Sequence, residues 1–292
     1  MIMRNIICVL TALVLSVSVY AQSTDYLRRY NLLLNRVGPS GVGIETLLEN
    51  WQKAEPENPD MLEARFYFYI SKSQGTEIIS SYESKFLGAN PVLTLKDSSG
   101  VDVHYYEVLK YEEALFVDAL EILDQAIDLC PDRLDFRFLK ANAYMSYERG
   151  EMDFTLSNIL GLVHDFMNTD RKWQYKVDFS SELYTVDKEE FASLMKDYCH
   201  DFFYMGTPAS YQAFLKLSQR LNGYFKKDAD FVANIGSYYH VAEKDYKTAL
   251  KYYDKALKLQ PGHRSIINNA LIAARSLKDA KLEKKYLKML GK

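Results

Sequence analysis

One spacing recurs along this chain and limits what it can fold into. A small or apolar residue is followed by an aromatic or Leu four positions later, an Ala three after that, and a Pro five further on. It occurs at Leu47, Trp51, Ala54 and Pro59, at Ala119, Leu123, Ala126 and Pro131, and at Ala249, Tyr253, Ala256 and Pro261. A shortened copy runs Leu282, Tyr286, Met289. Spacings of four and three place side chains on one helix face. The small Ala lets a neighbouring helix approach. Pro lacks an N–H and restricts the residue before it, so it ends the helix. Each copy therefore predicts a helix with a packing face, a stop and the start of another helix.

Apolar residues make up 48% of the chain and charged residues 26%, enough for a core and incompatible with wholesale disorder. Tyr246 to Pro261 reads YKTALKYYDKALKLQP and resembles the second helix of a tetratricopeptide repeat. Asn234-Ile235-Gly236 and Tyr239 resemble the first helix of that repeat, with one extra residue in the turn. Asp135 to Tyr144, ending Ala141-Asn142-Ala143-Tyr144, resembles another first helix. Helical periodicity extends the pattern to six pairs: 24–36 with 43–56, 60–73 with 108–129, 133–148 with 152–167, 187–204 with 207–223, 229–242 with 246–259, and 263–276 with 279–290. The expected fold is all-α, a tetratricopeptide-like solenoid of helical hairpins over residues 22–292, treated as one domain.

Two segments interrupt it. In 74–106, Val92–Leu95 and Val101–Tyr105 flank Asp97-Ser98-Ser99-Gly100, which predicts a β-hairpin. In 168–186, Trp173, Tyr175, Val177 and Phe179 alternate with polar residues and predict a second extended stretch. Insertions in a solenoid emerge on one face and often build its binding site.

The first residues read as a leader. Arg4 precedes an apolar run from Ile6 to Val17, too short to span a bilayer comfortably, and Val19-Tyr20-Ala21 ends in the small residues a signal peptidase accepts. Cleavage after Ala21 predicts an exported protein, periplasmic or extracellular, with no membrane span left. Cys8 lies inside the run, where it does not serve lipid anchoring. Cys130 and Cys199 remain, as a disulfide or as two buried thiols.

Chemistry is hard to find. The stretch Gly38-Pro39-Ser40-Gly41-Val42-Gly43 lacks the Lys and Ser/Thr of a phosphate loop. His164-Asp165 and His200-Asp201 are adjacent in sequence, so on a helix they point about 100° apart. No His, Cys or carboxylate set has metal-ligand spacing on one helix face. No catalytic residue, metal or cofactor is assigned, and no enzyme is expected.

Charge is uneven. Lys244 to Lys292 carries 13 Lys and Arg against 4 Asp and Glu, a net of +9, while the whole chain has a net charge of -3. That balance excludes a general nucleic-acid binder. A terminal repeat helix needs a polar outer face; the sharper reading is a basic end through which the chain self-associates or meets an acidic partner.

The resemblance implies that first helices line a concave groove. On that mapping, groove positions include Asn142, Ser237, His240, Asn268 and Arg275. The Lys, Asn and Arg clamp used by the chaperone-tail-binding subclass is not matched, and Asp135 and Asp230 carry the wrong sign for it. The expected function is a non-enzymatic scaffold that binds a protein or peptide. The alternative is a glycan-handling accessory protein of a bacterial envelope, which exposed Trp173 and Tyr175 would favour.

Overall fold

Short polar side chains start the helices where the sequence punctuates them. The computed structural model describes residues 25–179 and 181–291, so the leader and its cleavage after Ala21 lie outside the described residues. Among the described residues, twelve helices follow one another in pairs. They are α1 (25–37) and α2 (Ile44–Ala54), α3 (Pro59–Ser73) and α4 (Glu113–Leu129), α5 (Leu134–Tyr147) and α6 (Asp153–Asn168). Then come α7 (Lys188–Met205) and α8 (Pro208–Tyr224), α9 (Ala229–Val241) and α10 (Tyr246–Leu259), α11 (Arg264–Ser276) and α12 (Ala280–Met289). Asn58, Asp187, Thr207, Asp228, Asp245 and Asp279 each accept from backbone N–H groups of the turn they open. Such caps satisfy donors that the helix itself leaves unpaired.

The expected hairpin is present, with a third strand the sequence reading did not include. Strands β1 (Gln74–Ser81), β2 (Leu93–Lys96) and β3 (Asp102–Tyr111) form a sheet in the order β1-β3-β2. Strand β2 pairs antiparallel with β3, Leu93 opposite Tyr105 and Lys96 opposite Asp102. The connecting turn is held by the Asp97 carboxylate, which accepts from Ser99 N, Ser99 Oγ and Val101 N. A helix was expected from 108, but β3 continues to Tyr111. Its 104–111 stretch holds Tyr105, Tyr106, Val108 and Tyr111, residues that suit a pleated surface.

The chain forms two compact units. The first comprises the described residues up to Glu77, with Leu109–Ala143 and Lys172–Thr185. Its core holds Leu47 and Trp51 of α2, Met61 and Phe66 of α3, Ala119, Leu123 and Ala126 of α4, and Phe136 of α5, all buried. Ala54 of the first signature copy is exposed, because α2 ends there and brings no further turn against a neighbour. The short strands β4 (Gln174–Tyr175) and β5 (Tyr184–Thr185) pair antiparallel in this unit.

The second unit comprises Ile78–Val108, Tyr144–Arg171 and the residues from Val186 onward. Phe166 of α6 stacks on Phe191 of α7, ring centroids 3.7 Å apart. Val232, Ala249, Tyr253, Ala256, Ile267, Ala270 and Tyr286 share one core cluster, so the Ala-Tyr-Ala signature packs as its spacing predicts. Gly236 of α9 faces α10 so closely that a Cβ would lie 3.0 Å from the Tyr253 ring and 3.1 Å from the Ala249 carbonyl. The insertion is fixed to this unit at Gly88, where a Cβ would come within 2.5 Å of the Tyr204 ring at the end of α7. Cys130 and Cys199 are both free thiols.

Candidate ligand-binding groove

In the second unit, the first helices α7, α9 and α11 line a groove of about 640 Å³. Its apolar surface comes from Phe203 of α7, Phe214 of α8, Val241 of α9 and Ile272 of α11. Its polar groups are Asn234, Ser237 and His240 of α9 and Asn269 of α11, with His200 and Lys196 of α7. The insertion supplies none of the lining residues.

One end is charged. Lys196 Nζ donates to Asp228 at 2.9 Å and to Asp230 at 2.7 Å, and its chain lies over the Phe231 ring. Burial works against the ammonium charge, but the two carboxylates outweigh it and raise the Lys196 pKa. His263 Nε2 lies 3.2 Å from the other Asp230 oxygen. Asp230 is thus committed to Lys196 and His263.

The middle is held by hydroxyls. Tyr253, fully buried in α10, donates its hydroxyl proton to Ser237 Oγ at 3.2 Å. Its oxygen also lies 3.2 Å from His240 Nδ1. With the phenol's one proton on Ser237, His240 carries its proton on Nδ1 and keeps Nε2 as an acceptor. Burial lowers the His240 pKa and pushes the Tyr253 phenol up to about 12, so both are neutral at pH 7. Below the lining, Cys199 is sealed, its thiol pushed up to about 12 by burial. A thiol held that high is no nucleophile.

Of the five expected positions, Ser237 and His240 line this groove. Asn268 is exposed and outside the lining, where Asn269 stands instead. The N-caps Asp228 and His263 are 35 residues apart, so the extra residue in the α9–α10 turn carries through to α11. That shift of one residue rotates the expected register by about 100°. Arg275 is exposed and donates to Glu283 of α12 at 2.8 Å. Asn142 is exposed on α5 in the first unit. Lys196, Phe203, Asn234, Asn269 and Ile272 were not anticipated; the cap-to-cap spacing was the signal for the last two.

The first unit holds the other concentration of perturbed groups. Glu63 of α3 is buried, and burial together with the Asp135 charge pushes its carboxyl up to about 8. Arg133 is paired bidentately with Asp135, at 2.8 and 2.5 Å, and lies 4.0 Å from Glu63. Trp173, whose exposure would have favoured the glycan reading, is 2% exposed and lies under the Arg137 guanidinium. Among the described residues, no three His, Cys, Asp or Glu side chains converge as a metal set. Nor is any helix among them long and apolar enough to cross a membrane.

No protein-family model matches the chain, and no curated protein matches it. Distant likenesses exist among solved structures. The crystal structure of MamA is 14% identical, with 61% of this chain and 87% of that one covered and a TM-score of 0.35. YrrB, described as a TPR protein with an unusual peptide-binding site, is 13% identical, covering 61% and 77%, with a TM-score of 0.34. The TPR2AB domain of yeast Sti1 complexed with pHSP90 is 11% identical, covering 92% and 89%, with a TM-score of 0.29. Likenesses this distant carry no argument about function. The fold follows from the chain's own helix pairs, capped turns and 35-residue step: it is a tetratricopeptide-like helical repeat with a small sheet inserted.

Proposed function

We propose that the chain is a non-enzymatic, exported scaffold that holds a protein segment in the groove of α7, α9 and α11. The observation that carries this is the lining itself. Apolar Phe203, Phe214 and Ile272 stand beside the amides of Asn234 and Asn269, in an open channel rather than a closed pocket. Amide side chains can pair with both N–H and C=O of an extended backbone. Apolar neighbours supply the burial that such a contact needs. The perturbed groups favour no reaction: the Cys199 thiol is sealed and the His240 imidazole is already spoken for by Tyr253. In the same reading the leader at 1–21 directs export, and the basic C-terminal end favours self-association at low salt.

The test is a pull-down from the native envelope fraction with residues 22–292, beside the Ile272→Glu variant. Ile272 is 51% exposed, so the change leaves the core alone and puts a charge in the groove. The expected result is a discrete protein retained by the native chain and lost, by at least about tenfold, on the variant. Equal retention by both would place the binding surface elsewhere.

A further inference from the structure

Residues 172–179 and 181–185 lie on the first unit in the manner of a bound peptide. Gln174 N donates to the Asp132 carbonyl at 2.9 Å, beside a one-pair parallel bridge between Arg133 and Gln174. Tyr175 sets its ring edge-on to Phe138 of α5 at 5.8 Å. Lys176, only 8% exposed at its side chain, donates to Asp60 of α3 at 2.5 Å. Phe179 inserts edge-on between Tyr30 of α1, at 5.1 Å, and Tyr67 of α3, at 5.8 Å. The contacts therefore fall on α1, α3 and α5 and on the turn that leads into α5. These three helices are the first of three successive pairs, the same set of faces that in the second unit stands open as α7, α9 and α11.

The segment is also closed on itself. Gln174 pairs with Thr185 and Tyr175 with Tyr184, so the two ends of the strap meet in one strand pairing. Its removal leaves no gap wider than one strand pairing. Beneath it, Glu63 is neutral at pH 7 and Arg133 is spent on Asp135, so Asp60 takes its counter-charge from Lys176. Without the strap, the face is aromatic and Asp60 loses its Lys176 counter-charge.

We propose that this face is a second peptide-binding groove, with residues 172–185 as its resident ligand. The ligand it takes in trans is an extended peptide with a lysine between aromatic residues, in the pattern of Tyr175-Lys176-Val177-Asp178-Phe179. The proposal stands whatever the groove of α7, α9 and α11 binds.

The test uses a chain in which Tyr175–Tyr184 is replaced by Asn-Gly, a pair that closes a two-residue hairpin between Gln174 and Thr185. The probe is a capped, fluorescently labelled peptide of residues 175–184, read by anisotropy. The expected result is saturable binding to the shortened chain and at least about tenfold weaker binding to the native one. A Lys176→Glu peptide is expected to bind the shortened chain about tenfold more weakly as well. A folded shortened chain that fails to bind, or a native chain that binds equally well, overturns the proposal. Should the shortened chain lose its helical circular dichroism, the native chain decides by amide exchange. A short tether gives an effective concentration of roughly millimolar. Millimolar peptide is therefore expected to speed exchange at Gln174 and Tyr175 several-fold while α3 and α5 stay protected; unchanged exchange overturns the proposal.

Discussion

Glu63 is where burial and charge compete most directly. Its carboxyl is 5% exposed and has its pKa raised to about 8 from an ordinary 4.5. The folded chain therefore holds this proton more tightly than the unfolded chain does. The contribution to stability is complete below about pH 4.5 and is lost as pH rises through 8. Glu63→Gln keeps the shape and has no proton to lose. Its melting temperature is expected to match the native chain's near pH 4.5 and to exceed it above pH 8, by an amount on the order of a few kcal/mol in stability. A gap independent of pH would contradict the assignment. Gly236 poses the packing counterpart. Gly236→Ala gains helix propensity but drives a Cβ to 3.0 Å from the Tyr253 ring, and is expected to destabilise by about 1–3 kcal/mol. Gly161, on the exposed side of α6 with nothing within 4 Å, is its control: Gly161→Ala is expected to stabilise by about 0.5–1 kcal/mol. Urea unfolding of both variants measures the contrast.

At the scale of elements, legibility depended on how local the cause was. Helix pairs were readable because Pro59, Pro131 and Pro261 mark stops and because Ala249, Tyr253 and Ala256 repeat at helical spacing. The turn of Asp97 and Gly100 marked the β2–β3 hairpin for the same reason. Strand β1 was missed because its partner β3 lies more than twenty residues away, and pairing at that distance leaves no local pattern. Of the positions named from the sequence, Ser237 and His240 lie in the groove lining, while the extra residue in the α9–α10 turn puts Asn269 there in place of Asn268. The buried Glu63 cluster was invisible, since Tyr30, Glu63 and Asp135 meet only after folding. The terminal helix carries its own test. Asp279 accepts from Lys281 N and Leu282 N, both at 3.0 Å, and starts α12. Asp279→Ala is expected to cost about 1 kcal/mol and to speed amide exchange in α12 ahead of α9 and α10. Uniform change across all three helices would contradict a local cap.

At the scale of the whole molecule, the two units use equivalent helix faces differently. In the first, α1, α3 and α5 are covered by the chain's own residues 172–185. In the second, α7, α9 and α11 leave a groove of about 640 Å³ uncovered by the inserted sheet. A basic end and an acidic remainder add a salt-dependent component to any encounter without choosing the partner. The central claim is that the open groove is where a protein segment sits. Site-specific photo-crosslinking in the native cell tests it most directly, with a benzophenone side chain placed at position 272 in the groove or at position 268 just outside it. The account predicts a discrete protein adduct from position 272 and none from position 268. Equal adducts from both, or an adduct from 268 alone, would contradict it.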